Sequence, residues 1–226
     1  MPHWLQLMVE SLPTLLWAGL MFTIPLTILS FIFGLSLGLI TALVRLFAPI
    51  WLSSVARFYV WIFRGTPLLV QLFVIFYGLP SAGIYLDAFP AALIGFSLNV
   101  GAYSSEVIRA VISSVPKGQW EAAYSIGMSW RQALARTVLP QAARTAVPPL
   151  SNTFISLVKD TSLAAAITVP ELFQSAQRIV ATTYEPLILY IEAALIYLAL
   201  STILSQLQAR LEQRFRRYGG TLETNS

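Results

Sequence analysis

The chain has 226 residues, of which 57% are hydrophobic and only 11% charged, against roughly 25% charged in an ordinary soluble domain; that balance excludes a water-soluble globule. It contains no cysteine and a single histidine, His3, which removes disulfide scaffolds, thiol nucleophiles, His-based zinc sites and buried histidine bases. The formal net charge of +4 speaks for nucleic acid only if the basic residues do not first serve as markers of membrane topology.

A bilayer core takes about 20 apolar residues as a helix, because a helix satisfies its own backbone groups where no water can. No residue between Glu10 and Arg45 is charged, and this run predicts a first span from roughly Leu15 to Val44. Within it Gly34 and Gly38 form a small-xxx-small face suited to close helix packing. A second span is expected from Arg57 to Leu79, broken near Arg64, Gly65, Thr66 and Pro67. The third runs from Pro90 to Val115 with Glu106 and Arg109 inside it, the fourth from Val147 to Ala166 with Lys159 and Asp160, and the fifth from Pro186 to Leu207. Glu192, about six residues into the fifth span, is expected near the interface, hydrated and structural. Pro25, Pro67, Pro148 and Pro149 should bend or end helices, and Trp4, Trp17, Trp51, Tyr59 and Trp61 suit an interfacial belt. The expectation is an all-α membrane protein of about five transmembrane helices, residues 1–226 forming one domain.

Positive residues are retained on the cytoplasmic side. Arg45 and Arg57, the loop with Lys117, Arg131, Arg136 and Arg144, and the tail with Arg210, Arg214, Arg216 and Arg217 all fall on one side, with Arg178 on the other. The N-terminus is therefore expected outside and the C-terminus inside. The basic surplus is then a topology signal, and no nucleic-acid partner is expected. The first apolar run is too long for a signal-peptide core and lacks a small-residue cleavage site, so it is expected to stay attached.

Between spans three and four, KGQWEAAYSIGMSWRQALARTVLP (residues 117–140) reads as two short helices around a turn. Gly127 suits a helix C-cap, and Ser129 with Gln132 three residues on fits a capping box. Trp120, Ala123, Tyr124 and Gly127 share one face, which is expected to project unpartnered and to need lipid headgroups or another protein.

Glu121, Ala122 and Ala123, then Gly127, then Leu139 and Pro140 resemble the EAA loop of membrane subunits of binding-protein-dependent ABC importers. Thr137 departs from the aliphatic residue usual there. The resemblance continues through FRGTPLLVQLFVIFYGLP (residues 63–80), SLNVGAYSSEVIRA (97–110) and LPQAARTAVPPLSNTFISLVKDTSLAA (139–165), and is similar to the polar amino-acid permease branch, cystine permeases above all. It implies a type I importer permease fold in the bacterial inner membrane, with Glu121, Ala122, Ala123 and Gly127 docking on a cytoplasmic ATP-binding subunit present in two copies. It also implies a second permease subunit, a homodimer being expected, a periplasmic solute-binding protein and a polar amino-acid substrate. The chain has no Walker A pattern, so ATP and Mg belong to the partner, and no catalytic residue, metal or cofactor is expected here.

Charges inside a membrane cost at least about 2.5 kcal/mol each on insertion scales and mark function by default. Asn99, Tyr103 and Glu106 stand at i, i+4 and i+7 on one face of span three. Asp160 lies roughly 18 Å up span four from Pro148, near the middle of the core. In the permeases this chain resembles, the matching Asn, Glu and Asp positions line a mid-membrane pocket, which implies that Glu106 and Asp160 pair with an α-ammonium group while Asn99 and Thr161 hydrogen-bond polar atoms. The competing reading makes the carboxylates local neutralisers, Glu106 of Arg109 at i, i+3 and Asp160 of Lys159, although adjacent helical residues point about 100° apart. Arginine, lysine, histidine or glutamine are alternative substrates. An intramembrane serine protease would need a base, and Lys159 beside Ser162 is the sole substitute; a secondary transporter would need no cytosolic partner.

Overall fold

The computed structural model describes residues 2–219, with side chains to Arg210 and at Gln213; Arg214, Arg216 and Arg217 of the expected basic tail lie outside the described side chains. The described residues are helical throughout, without a strand. Helix α1 (His3–Phe47) is one element of 45 residues, about 68 Å at 1.5 Å per residue, so the first span starts well before Leu15. Pro25 lies inside it, and the turn before Pro25, Gly19–Thr23, widens to π geometry. That widening is the local response to a proline with no N–H to give its helix.

Helices α2 (Ile50–Gly65) and α3 (Leu68–Ala82, ending in π and 3₁₀ turns) meet at an angle of 107°. The break falls where the sequence puts it. Thr66 precedes Pro67 and is pushed out of the α region, to φ −119° and ψ 148°. The second span, expected to be broken there, is two helices, of which α2 starts before the expected Arg57 and carries Trp51, Val55, Phe58 and Trp61 exposed along one side.

Helix α4 (Ala88–Ser113) packs against α1 more extensively than any other described pair of helices. The reason is the glycine face. A Cβ on Gly34 would lie 2.6 Å from Val100 Cγ1, and one on Gly38 would lie 2.9 Å from Ser104 Cβ and 3.0 Å from the Gly101 carbonyl. Leu26, Leu72, Phe96, Leu157 and Ile167 close the main apolar core around this pair.

Helix α5 (Lys117–Ser125) leads through a turn to α6 (residues 130–160), whose second turn, Leu134–Val138, is again π-shaped ahead of a proline, Pro140. Pro148 and Pro149 lie inside α6 without ending it. A 3₁₀ segment, Thr161–Ile167, then leads to α7 (Leu172–Thr183) and α8 (Pro186–Gly219). Among the described residues three helices are long and apolar enough to cross a membrane, α1, α4 and α8, and a fourth if the bent α2–α3 pair counts as one. The expected fourth span from Val147 to Ala166 is not one of them. Its helix stops at Asp160 and is polar along the side that carries Asn152, Thr153 and Ser156.

Glu192 departs from its expected hydration: it is 2% exposed and accepts a 2.6 Å hydrogen bond from Ser11 of α1. The first turns of α1, absent from the expected span, are what cover it.

Because the Cβ of any residue at Gly38 meets backbone as well as side chain, Gly38→Ala should force α1 and α4 apart. A loss of about 1 to 3 kcal/mol, the usual cost of overpacking a tight contact, is expected as a lower thermal unfolding midpoint in detergent, with Leu39→Ala on the exposed side as the unaffected control.

Candidate functional site

A cavity of about 490 Å³ opens beside α4 and is bounded by Thr66, Pro67, Asn99, Tyr103, Asn152, Thr153, Ser156 and Asp160 among others. That volume lies in the range of pockets for small molecules. Asn99 and Tyr103 come from one face of α4, one turn apart. Asn152, Ser156 and Asp160 come at intervals of four from α6, a polar stripe whose uncharged members carry no charge signal in the sequence beside Lys159 and Asp160.

The backbone break at Thr66 supplies the third wall. Gln71, 7% exposed, holds it: its Nε2 donates to the carbonyls of Phe63 (2.9 Å) and Thr66 (3.1 Å) and to Thr66 Oγ1 (2.9 Å). Its Oε1 accepts from Asn99 Nδ2 at 3.0 Å. Carbonyls freed by Pro67 would otherwise be orphaned in an apolar interior, and sequence reasoning missed this glutamine because its partners lie on both sides of a break.

Asp160 is exposed to the cavity and has no ion-pair partner within 4.0 Å among the described residues, neighbouring Lys159 acting on it only from beyond that distance. Two of the expected site residues stand elsewhere. Glu106, one turn beyond Tyr103, is off the cavity wall: Oε1 meets Arg45 Nη1 at 2.6 Å and Arg64 Nη1 at 3.6 Å, and Oε2 meets Arg109 Nη2 at 2.9 Å. The expected pairing with Arg109 is present, joined by two arginines from other helices that no spacing rule brings there. Thr161 is 0% exposed, with Oγ1 donating to the Val158 carbonyl at 2.7 Å and lying within reach of Tyr197. The chain tightens to 3₁₀ after Asp160, which turns Thr161 into the core.

A second polar centre lies where α7 begins. Glu171, 0% exposed, accepts from the Phe173 and Gln174 amides (2.9 and 2.6 Å) and from the Tyr197 hydroxyl (2.6 Å). Burial pushes its carboxyl above the usual range against the pull of those hydrogen bonds, and Thr23 Oγ1 accepts from the Leu172 amide at 3.2 Å. These bonds clasp α7 to α1 and α8.

The loop around Gly127 has the geometry its residues imply. The Gly127 amide donates to the Tyr124 carbonyl (2.9 Å) and the Met128 amide to that of Ala123 (3.1 Å), with Gly127 at φ +79°, a Schellman stop. Ser129 Oγ and Gln132 Oε1 exchange bonds with each other's backbone at 3.4 and 2.8 Å, completing the capping box. The expected unpartnered face is only half present. Ala123 is buried and Trp120 packs beneath it against Phe47 of α1, which also meets Trp130. Glu121, Ala122, Tyr124 and Ile126 remain exposed. Thr137 turns its hydroxyl toward Met128 Sδ at 3.9 Å, so the departure from an aliphatic residue leaves the turn intact.

Residues 34–217 match the family described as binding-protein-dependent transport system inner membrane component. The chain is 57% identical over 214 residues to the L-cystine transport system permease protein TcyB of Bacillus subtilis, covering 94% of this chain and 92% of the relative. It is 43% identical to the probable amino-acid ABC transporter permease protein YckA of the same organism, with 94% of each chain covered. A crystal structure of an amino acid ABC transporter with histidines superimposes at a TM-score of 0.88, with 35% identity over 95% of this chain and 99% of that one.

Removing the charge of Glu106 while keeping its size tests the ionic cluster. Glu106→Gln leaves three guanidiniums facing one another, and losing charge-assisted hydrogen bonds in a part-buried cluster costs about 1 to 3 kcal/mol after solvent screening. Reduced membrane yield and a lower unfolding midpoint are expected; full yield and an unchanged midpoint would refute a structural role.

Proposed function

The chain belongs to the family of inner membrane components of binding-protein-dependent transport systems, and we propose that its task there is to pass a polar amino acid, L-cystine first, through the cavity beside α4. As a permease of an amino-acid ABC transporter it is an integral membrane protein and not itself an enzyme. The observation that carries the substrate reading is Asp160, a carboxylate facing an open cavity with no ion-pair partner within 4.0 Å among the described residues. An ammonium group is the partner that would relieve its burial. Asn99, Tyr103, Asn152, Thr153 and Ser156 supply hydrogen-bonding groups around it. Glu106 is left out of the pocket, because its charge is already taken by Arg45, Arg64 and Arg109. Resemblance to the Bacillus subtilis cystine permease favours cystine, and arginine, lysine, histidine or glutamine are the alternatives.

The remaining parts follow from the same reading. Two copies of the chain would enclose the pathway, a binding protein would deliver substrate to the outer face, and the N-terminus would lie outside with the C-terminus inside. Two copies of a cytoplasmic ATP-binding subunit would bind Mg and ATP and hydrolyse it. Glu121, Ala122 and Tyr124 form the docking surface, with Ala123 and Gly127 fixing its shape. Co-purification with the ATPase and substrate-stimulated hydrolysis after reconstitution test the assembly; purification as a lone active transporter would overturn it.

Asp160→Asn preserves size while deleting charge. Losing one charge-assisted hydrogen bond costs about 1.5 to 3 kcal/mol, so the substrate concentration for half-maximal uptake should rise about tenfold to a hundredfold or more, with the unfolding midpoint unchanged.

Glu121→Lys reverses a charge on the exposed docking face without touching the packed Trp120 and Ala123. Membrane insertion should persist while uptake and substrate-stimulated ATP hydrolysis both disappear, and wild-type rates of both would refute docking through this face.

A further inference from the structure

The cluster around Glu106 does not balance. Three guanidiniums, Arg45, Arg64 and Arg109, share one carboxylate, which leaves two positive charges in excess beside the cavity. The three are not equally held. Arg45 and Arg109 make contacts of 2.6 and 2.9 Å, and the Arg45 side chain is 13% exposed, whereas Arg64 stands 3.6 Å from Glu106 Oε1 with its side chain 44% exposed. Its Cζ lies 5.3 Å from the centre of the Tyr103 ring, and Tyr103, like Thr66 and Pro67 just after Arg64, lines the cavity. Arg64 is therefore the cation that Glu106 neutralises least; it is not itself a lining residue and stands one ring away from the cavity, on the face of Tyr103, which does line it.

We infer that Arg64 receives the α-carboxylate of the substrate, opposite the α-ammonium held by Asp160, so that the cavity selects zwitterionic α-amino acids over amines of the same side chain. The inference rests on the proposed role of the cavity as the substrate pocket. A guanidinium offers a carboxylate two parallel N–H donors, and an incoming carboxylate would cut the excess charge of the cluster. Asp160 alone would accept any ammonium; Arg64 supplies the second point that makes an amine without a carboxylate a poor fit. The pocket is thereby dipolar, with its negative end on α6 and its positive end at the close of α2.

The test uses the purified complex of this chain with its ATPase in lipid nanodiscs, without binding protein, so that any preference belongs to the membrane part. Two pairs of probes differ only by carboxylates: L-cystine against cystamine, and L-arginine against agmatine. For whichever amino acid binds, the wild-type complex should prefer it to its amine by about tenfold or more, the worth of a charge-assisted bond. Arg64→Gln should erase that preference by weakening the amino acid while the amine stays within about twofold, and Arg64→Lys should restore part of it. A preference that survives Arg64→Gln, or equal weakening of amino acid and amine, overturns the inference. Asp160→Asn should weaken both members of a pair; if it weakens neither, the pocket reading itself fails, and if neither amino acid binds the wild-type complex, both fail.

Discussion

A carboxylate carried into a membrane bundle must be met by opposite charge or by hydrogen bonds, since the isolated ion is too costly to keep there. Glu106 is met by three arginines, and the consequences spread from it. Arg45 comes from α1, Arg64 from α2, and Arg109 from α4 itself, so one side chain ties these three helices together. The chain has only 10 acidic residues; this one is committed to the cluster, and Asp160 is the carboxylate that lines the pocket. Cavity lining and helix assembly are thus divided between two acids that look equivalent in the sequence.

The cavity itself exists because the backbone is broken beside it. Pro67 takes Thr66 out of helical geometry, α2 and α3 part at 107°, and the freed carbonyls of Phe63 and Thr66 are satisfied by Gln71. Irregular backbone at membrane depth is tolerated where it lines a polar cavity or is satisfied by protein; here one glutamine does the second and, through Asn99, helps to define the first. The opposite behaviour appears at the α1–α4 contact. Gly34 and Gly38 bring two helices so close that no methyl group fits, and this pair is the firm edge against which the broken helix is set.

What the residues alone disclosed was local or periodic. Gly127 as a left-handed stop and the Ser129–Gln132 capping box depend on positions within four residues of each other, and both stand as read. The Gly34 and Gly38 face needed only the helical repeat. The first helix starts well before the expected Leu15, because a helix can run past a charge such as Glu10 at its exposed end, and Ser11 in those earlier turns is the residue that meets Glu192. Glu106 and Thr161 stand off the cavity for two different reasons. Helical spacing says which residues share a face of one element, but not what another element brings to that face, and Arg45 and Arg64 lie 61 and 42 positions away in the chain. Thr161 fails through a change of helix type after Asp160 that no residue there announces.

The same geometry bears on how a push on the loop would reach the pocket. Helix α6 runs unbroken from Trp130, beside the Gly127 turn, to Asp160 on the cavity wall, about 46 Å at 1.5 Å per residue. Trp130 and Trp120 both bear on Phe47 at the end of α1, so the loop grips α1 while α6 leaves it as a continuous rod. Movement of a docked partner would therefore displace Asp160 relative to α1 and α4 without any intervening hinge loop. The compliant points are the π turn at Leu134–Val138 and the paired Pro148 and Pro149, where the intrahelical hydrogen bonds are already interrupted. Both lie between the loop and the polar stripe of Asn152, Ser156 and Asp160. A bend there would swing the acidic wall of the cavity against the wall that holds Asn99 and Tyr103, which Gly34 and Gly38 keep fixed to α1. Opening and closing of the pocket would then be a relative motion of α6 against a rigid α1–α4 pair, driven from the loop proposed as the docking surface.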